Sequence, residues 1–128
     1  MALIDVYHAD LECLNERRWN DLGEFVNADL TYNERPMTLD DYLALLQADA
    51  EAIPDLEYAP DFVIADGDVV GSRLFFDCSP QRPFLGVDTG GAAISFAEHV
   101  FYRFASGKIA RVWSLIDTQA IASQARDL

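Results

Sequence analysis

Hydrophobic positions recur at two different periods along the chain, and the change between them falls at Pro54. Before Pro54 the spacing is helical. Leu3, Tyr7, Leu11 and Leu14 lie three or four residues apart, which predicts an amphipathic helix over residues 3–18. Trp19-Asn20-Asp21 breaks it, and residues 21–26 can add one or two turns. Ala28–Asn33 (ADLTYN) predicts a short strand with Leu30 and Tyr32 on one face and Thr31 and Asn33 on the other. Pro36 is expected to end any pairing there. Thr38, followed three residues later by Asp41, has the form of a capping box with aspartate in place of glutamate or glutamine. The helix it opens places Leu39, Tyr42, Leu43, Leu46, Ala50 and Ile53 on one side, and Pro54 closes it.

Beyond Pro54 the period becomes two. Leu56, Tyr58, Phe62 and Ile64 alternate with Glu57, Ala59, Asp61 and Val63, and Asp66-Gly67-Asp68 turns the chain into a strand over residues 69–78. Residues 79–91, with two prolines and three glycines, form the longest irregular stretch and suit a rim or lid. Ser95–Asp117 then reads as a β-hairpin about Ala105-Ser106-Gly107-Lys108. A three-residue loop with a glycine bulge would set Phe104 opposite Lys108. Glu98 would then face Ser114, His99 would face Trp113 and Val100 would face Val112. Alternation puts Glu98, Val100, Tyr102, Phe104, Ala110, Val112, Ser114 and Ile116 on one surface. His99, Phe101, Arg103, Ile109, Arg111, Trp113 and Leu115 fall on the other. Residues 118–125 are helical.

The predicted order is helix, helix, short strand, helix, four long strands and a closing helix. Consecutive hairpin strands make an antiparallel sheet, and helices grouped before it cover one face, so the fold class is α+β. At 128 residues the chain is expected to be a single domain over 1–128, its twisted sheet curling around the helices to leave a conical pocket.

Charge narrows the partners. Nine basic residues against twenty-two acidic ones give a net charge of -13 without a basic stripe, so neither nucleic acid nor an anionic membrane is an expected partner. Cys13 and Cys78 are too few for a disulfide scaffold. With no leader-like N-terminal segment and no apolar run of the ~20 residues that span a bilayer, the expected location is the cytoplasm. His8 and His99 are the only histidines, and no H-E-x-x-H or C-x-x-C occurs, which leaves no metal set. No glycine-rich phosphate loop or G-x-S-x-G elbow is present, so nucleotide, phosphate and serine-hydrolase readings have no support.

Among candidate residues, Glu98 shares its surface with Val100 and Ser114. Desolvation beneath apolar side chains would raise its pKa toward that of a working base or acid; the alternative is a strand-end carboxylate reaching solvent. His99 titrates near neutrality, but its predicted surface with Trp113 suits a subunit interface as well as a site. Tyr32 and Tyr102 can donate hydrogen bonds to a ligand oxygen or serve the core. Arg73 needs a partner if buried: Asp77, Glu98 or a ligand carboxylate. Asn33 either orients a ligand carbonyl or ties down the turn before Pro36. Trp113 is an interface anchor or a pocket wall, and Asp117 is placed to cap the last helix.

The element order, Asp29–Asn33 (DLTYN), Arg73, Phe84-Leu85-Gly86 in the rim, and the hairpin F-x-x-G-K-I-x-x-x-W followed by Asp117 together resemble the SnoaL-like polyketide cyclases. These ester cyclases belong to the nuclear-transport-factor-2-like superfamily of α+β cones. The resemblance implies a pocket for a small apolar carbonyl-bearing ligand, a homodimer through the outer sheet face, and cofactor-free acid–base ring closure. The family's histidine on the penultimate strand and aspartate after the hairpin tryptophan align with Val100 and Ser114, and its early histidine with Asn33 or Tyr32. Two functions follow. One is a cyclase-, isomerase- or dehydratase-type enzyme using Glu98, with His99 as a further candidate and with Asn33, Tyr32, Arg73, Tyr102, Ser114 and Trp113 around the ligand. The other is a ligand-binding or assembly domain without the His–Asp pair.

Overall fold

Two helices on one side of a curved six-stranded sheet account for both hydrophobic periods in the computed structural model, which describes residues 2–128. Helix α1 (Leu3–Asn15) buries Tyr7, Leu11 and Leu14 as its spacing predicts, together with Asp10 and Cys13. It stops short of residue 18 because Arg17 turns into the left-handed region at φ 57°. The Arg17 guanidinium then donates to the Leu14 carbonyl in the last turn of the helix at 3.0 Å and to the Leu56 carbonyl in the segment before β3 at 2.7 Å. A short 3₁₀ turn (Trp19–Glu24) leads into β1 (Val26–Tyr32).

Contrary to the expectation for Pro36, a further strand follows. β2 (Arg35–Thr38) pairs with β1, setting Thr31 opposite Pro36. The pairing survives because β2 is the sheet edge, where a missing N–H can face outward. Asn33 and Glu34, both at positive φ, form the two-residue turn between them. Helix α2 (Leu39–Ala52) opens on the predicted capping box: the Asp41 backbone N–H donates to Thr38 Oγ1, and the Thr38 N–H donates to the Asp41 carboxylate, each at 3.1 Å.

Strands β3 (Pro60–Asp66), β4 (Val69–Cys78), β5 (Ile94–Ala105) and β6 (Lys108–Ile116) form an antiparallel meander, and helix α3 (Thr118–Arg126) closes the chain. The sheet order is β2-β1-β6-β5-β4-β3, with β1 and β6 parallel. Leu56 and Tyr58 are buried ahead of β3, whereas Phe62 and Ile64 are exposed. Asp61 is an extra residue in the β3–β4 ladder, and this bulge moves the later positions to the opposite face.

The β5–β6 hairpin differs from its predicted register by two residues over most of its length. Ala105 pairs with Lys108 around a two-residue turn with Ser106 and Gly107 at positive φ, so Val100 faces Ser114, Glu98 faces Ile116 and His99 faces Leu115. An even shift preserves which face each side chain occupies. The exception is a bulge at Ala110 that turns Ile109, not Ala110, into the core. The inner face meets α1 and α2 in one core including Tyr7, Leu46, Ile53, Leu74, Phe76, Val100, Phe104 and Val112. No helix among the described residues is long and apolar enough to cross a membrane.

Candidate active site

Six helices and strands converge on a chamber of about 40 Å³ in this core, lined by Tyr42, Leu46 and Asp49 from α2, Tyr58 from the segment before β3, Glu98, Val100 and Tyr102 from β5, and Tyr32 from β1, with further side chains from α1, β4 and β6. A wider mouth of about 420 Å³ adjoins it, walled by Asn33, Phe84, Leu85, Ser114, Leu115 and Thr118. Tyr32, Leu45, Asp49 and Ile116 belong to both, so they form the throat between chamber and mouth. The rim predicted from residues 79–91 is in place. Phe84 is buried against Phe96, while Leu85, 51% exposed at φ 50°, projects at the opening.

Glu98 faces this chamber rather than solvent or the outer sheet face. Its Oε2 accepts the Ser114 hydroxyl at 2.5 Å. Burial pushes its pKa up, the Ser114 hydrogen bond pulls against that rise, and the negative charge of Asp49 adds to it. Burial alone pushes Asp49 up from the ordinary aspartate value to about 6; no hydrogen bond or cation offsets it. Five ionisable groups other than Glu98 therefore surround the chamber — Asp49, Tyr32, Tyr42, Tyr58 and Tyr102 — and every one is an acid. The Tyr32 phenol is also raised by burial, against which the neighbouring Ser114 hydroxyl acts. Tyr42 and Tyr102, 6% and 5% exposed, are held well above the usual phenol range by burial.

Asp49 was not among the sequence candidates. Its signal is the spacing Tyr42, Leu46, Asp49, Ile53, which puts a carboxylate on the sheet-facing stripe of α2. The apolar reading of that stripe passed over it.

The remaining candidates separate clearly. Tyr32, Tyr102 and Glu98 line the chamber, and Ser114 stands at the mouth with its hydroxyl turned to Glu98. Asn33 also borders the mouth, but both ends of its amide are engaged by the Ser114 backbone: Ser114 N–H donates to Oδ1 at 2.8 Å, and Nδ2 donates to the Ser114 carbonyl at 3.2 Å. It extends the β1–β6 pairing at the edge of the mouth.

Arg73, His99 and Trp113 lie outside the chamber on the outer sheet face, the face that parity predicts for His99 and Trp113, so Arg73 and Trp113, expected beside a ligand, and His99, a further catalytic candidate, do not meet Glu98 there. Val70, Ser72, Leu74 and Phe76 face inward on β4, so Arg73 faces outward, pairing with Asp61 at 2.9 Å. His99 is exposed on the outer face of β5. Trp113 donates through Nε1 to Glu34 at 2.6 Å and lies under the Arg111 guanidinium, 4.9 Å from the ring centre. With Phe62, Ile64, Gly71 and Phe101, Arg73 and His99 line a shallow depression of about 240 Å³ on that outer face. Asp117 caps α3 as predicted, accepting the Ala120 N–H at 3.0 Å. Among the described residues no three His, Cys, Asp or Glu side chains come together to hold a metal ion.

Comparison with known proteins agrees with this architecture. The family model for SnoaL-like polyketide cyclases matches residues 4–125. A SnoaL-like polyketide cyclase from Agrobacterium tumefaciens strain C58, known from its crystal structure, is 40% identical with a TM-score of 0.94; the match covers 97% of this chain and 98% of that one. AclR from Streptomyces galilaeus is 20% identical, with a TM-score of 0.81 over 98% of this chain and 96% of its own. IdmH from Streptomyces antibioticus is 18% identical, with a TM-score of 0.85 over 97% and 98%. These last two share the fold. No curated protein sequence matches the chain at a significant level.

Proposed function

The chain belongs to the SnoaL-like polyketide cyclase family, and on that premise we propose that its chamber is the active site of an acid–base enzyme acting on a hydrophobic carbonyl compound, with Glu98 as the general base. The observation that carries this reading is the position of Glu98: its carboxylate faces an enclosed chamber, held by the Ser114 hydroxyl at 2.5 Å and raised in pKa by burial. A base in that state removes a proton from carbon adjacent to a carbonyl more effectively than an exposed glutamate. The mouth has room for the apolar body of a ligand between Leu45, Phe84, Leu85 and Ile116. The chamber admits only its reacting edge. Tyr32 and Tyr102 are placed to donate hydrogen bonds toward a carbonyl oxygen there. Isomerisation, cyclisation and dehydration all begin with this proton removal.

The test is a thermal-shift screen of aromatic and polyketide-like ketones, since a ligand that binds only the folded chain raises its melting temperature. A ketone that stabilises both the wild type and Glu98→Gln, but is turned over by the wild type alone, supports catalysis. Equal turnover by both proteins removes Glu98 from the chemistry, and binding without turnover by either points to the binding domain instead.

We also infer that the outer sheet face holds a second copy of the chain. Phe62, Ile64 and Phe101 are exposed around the depression floored by Gly71, and Phe75 is exposed on the strand beside it. Contiguous apolar surface of this kind is characteristic of interfaces. A Cβ on Gly71 would come within 2.9 Å of the Phe101 ring, so the glycine lets that ring lie flat against the sheet.

A further inference from the structure

Proton removal by Glu98 leaves negative charge growing on the carbonyl oxygen, and something must meet it. No lysine, arginine or histidine lines the chamber or the mouth. Asp49 occupies the throat between them, on a different element from Glu98 and close enough for the two charges to repel.

Resting on the assignment of Glu98 as base, we propose that Asp49 is the second catalytic carboxyl group of this site, giving its proton to the substrate's carbonyl oxygen as Glu98 takes one from the adjacent carbon. In that step the C–H electron pair becomes the C=C bond of an enol. The carbonyl π pair takes the Asp49 proton, leaving Glu98 protonated and Asp49 ionised. In the return step Glu98 delivers its proton to a carbon of the enol system, the enol O–H proton goes back to Asp49, and both carboxyls are restored. Delivery to a different carbon completes an isomerisation without any other reactant.

Three observations support a proton on Asp49. It lies in the last turn of α2 (Leu39–Ala52), where the negative end of the helix dipole opposes a carboxylate. The groups facing it are Glu98 and Tyr102 from β5, Tyr32 from β1, Tyr42 from its own helix and Tyr58 from the segment before β3, none of them cationic. Behind these tyrosines the buried Asp10 of α1 adds a further acid. Two carboxyls in one desolvated site resist simultaneous ionisation.

The experiment uses the full chain with 2-tetralone as probe, following exchange of its α-protons in deuterium oxide across a range of pH. Wild type should give a bell-shaped pH dependence, its rising limb from Glu98 and its falling limb from Asp49. Asp49→Asn should exchange roughly 10²-fold more slowly and lose the falling limb, while Glu98→Gln should not exchange. The proposal is overturned if Asp49→Asn leaves the exchange rate and the falling limb unchanged, even where Glu98→Gln abolishes exchange. If instead Glu98→Gln exchanges normally, or wild type does not exchange the probe, the assignment of Glu98 as base fails with it.

Discussion

Ser114 and Glu98 are diagonal neighbours across β5 and β6: Ser114 pairs with Val100 and Glu98 with Ile116, yet the Ser114 hydroxyl reaches the Glu98 carboxylate at 2.5 Å. Diagonal contacts on one face of a sheet lie within reach of such side chains. The serine therefore fixes the carboxylate's direction without neutralising it. It stabilises the ionised form, whereas burial and Asp49 oppose it.

Replacing Ser114 with alanine removes that one stabilising bond. The Glu98 titration should move to higher pH in carbon-13 NMR, and the rising limb of any pH–rate profile should move with it. Loss of a hydrogen bond to a charged group costs about 1.5–3 kcal/mol where the group stays ionised. At a pH low enough to protonate Glu98, denaturant unfolding should show a smaller difference between the variant and wild type.

Stability should fall as pH rises. Burial raises Asp10 from 3.8 to about 7 and Asp49 from 3.8 to about 6, and it raises Glu98 as well. Between roughly pH 4 and 7 the folded chain then binds more protons than the unfolded one, and stability declines with pH until these groups have ionised. The melting temperature should be several degrees higher at pH 5 than at pH 8. Asp10→Asn should recover about 2 kcal/mol at pH 8 and flatten the dependence. A melting temperature that rises from pH 5 to pH 8 would show that Asp10 is solvated or paired.

Ligand charge should matter more than ligand shape. Every ionisable group around the chamber is an acid, in a chain of net charge -13. Calorimetry with 2-acetylnaphthalene and with 2-naphthoate, similar in size, should detect the ketone and not the carboxylate at neutral pH. Equal affinity for the two would mean that the chamber does not take the reacting edge of the ligand.

The outer face gives a prediction independent of chemistry. Wild type should sediment at about twice the chain mass of 14.3 kDa. Phe101→Glu, which puts a charge amid Phe62, Ile64 and the ring-flattening Gly71, should return the monomer with its fold unchanged by circular dichroism. A wild-type monomer would leave this apolar face uncovered and contradict the inferred dimer.

The sequence made the inner face of β5 legible through parity alone. Glu98, Val100, Tyr102 and Phe104 alternate with exposed residues, and a two-residue error in register leaves that alternation intact. Bulges defeat the same reasoning, because one extra residue reverses the face; Asp61 and Ala110 do so in β3 and β6. Arg73 was decipherable in principle, since Leu74 and Phe76 define the inward parity of β4, but attention to its charge overrode its position. Asp49 and Asp10 were missed for the opposite reason. Asp10 is buried and Asp49 half-buried at helical positions whose spacing is visible, yet an apolar stripe by definition leaves out the carboxylates within it. Pro36 shows that a residue unsuited to a central strand is no bar to an edge.

The central claim is that Glu98 removes a proton inside the chamber. Its most direct measurement is the rate at which 2-tetralone exchanges its α-protons for deuterium with equal concentrations of wild type and Glu98→Gln, at a pH where the Glu98 carboxyl is ionised in the wild type. The account predicts exchange with wild type and a fall of at least about 10²-fold in the variant, with the melting temperature preserved. Exchange at the same rate with both proteins would contradict it.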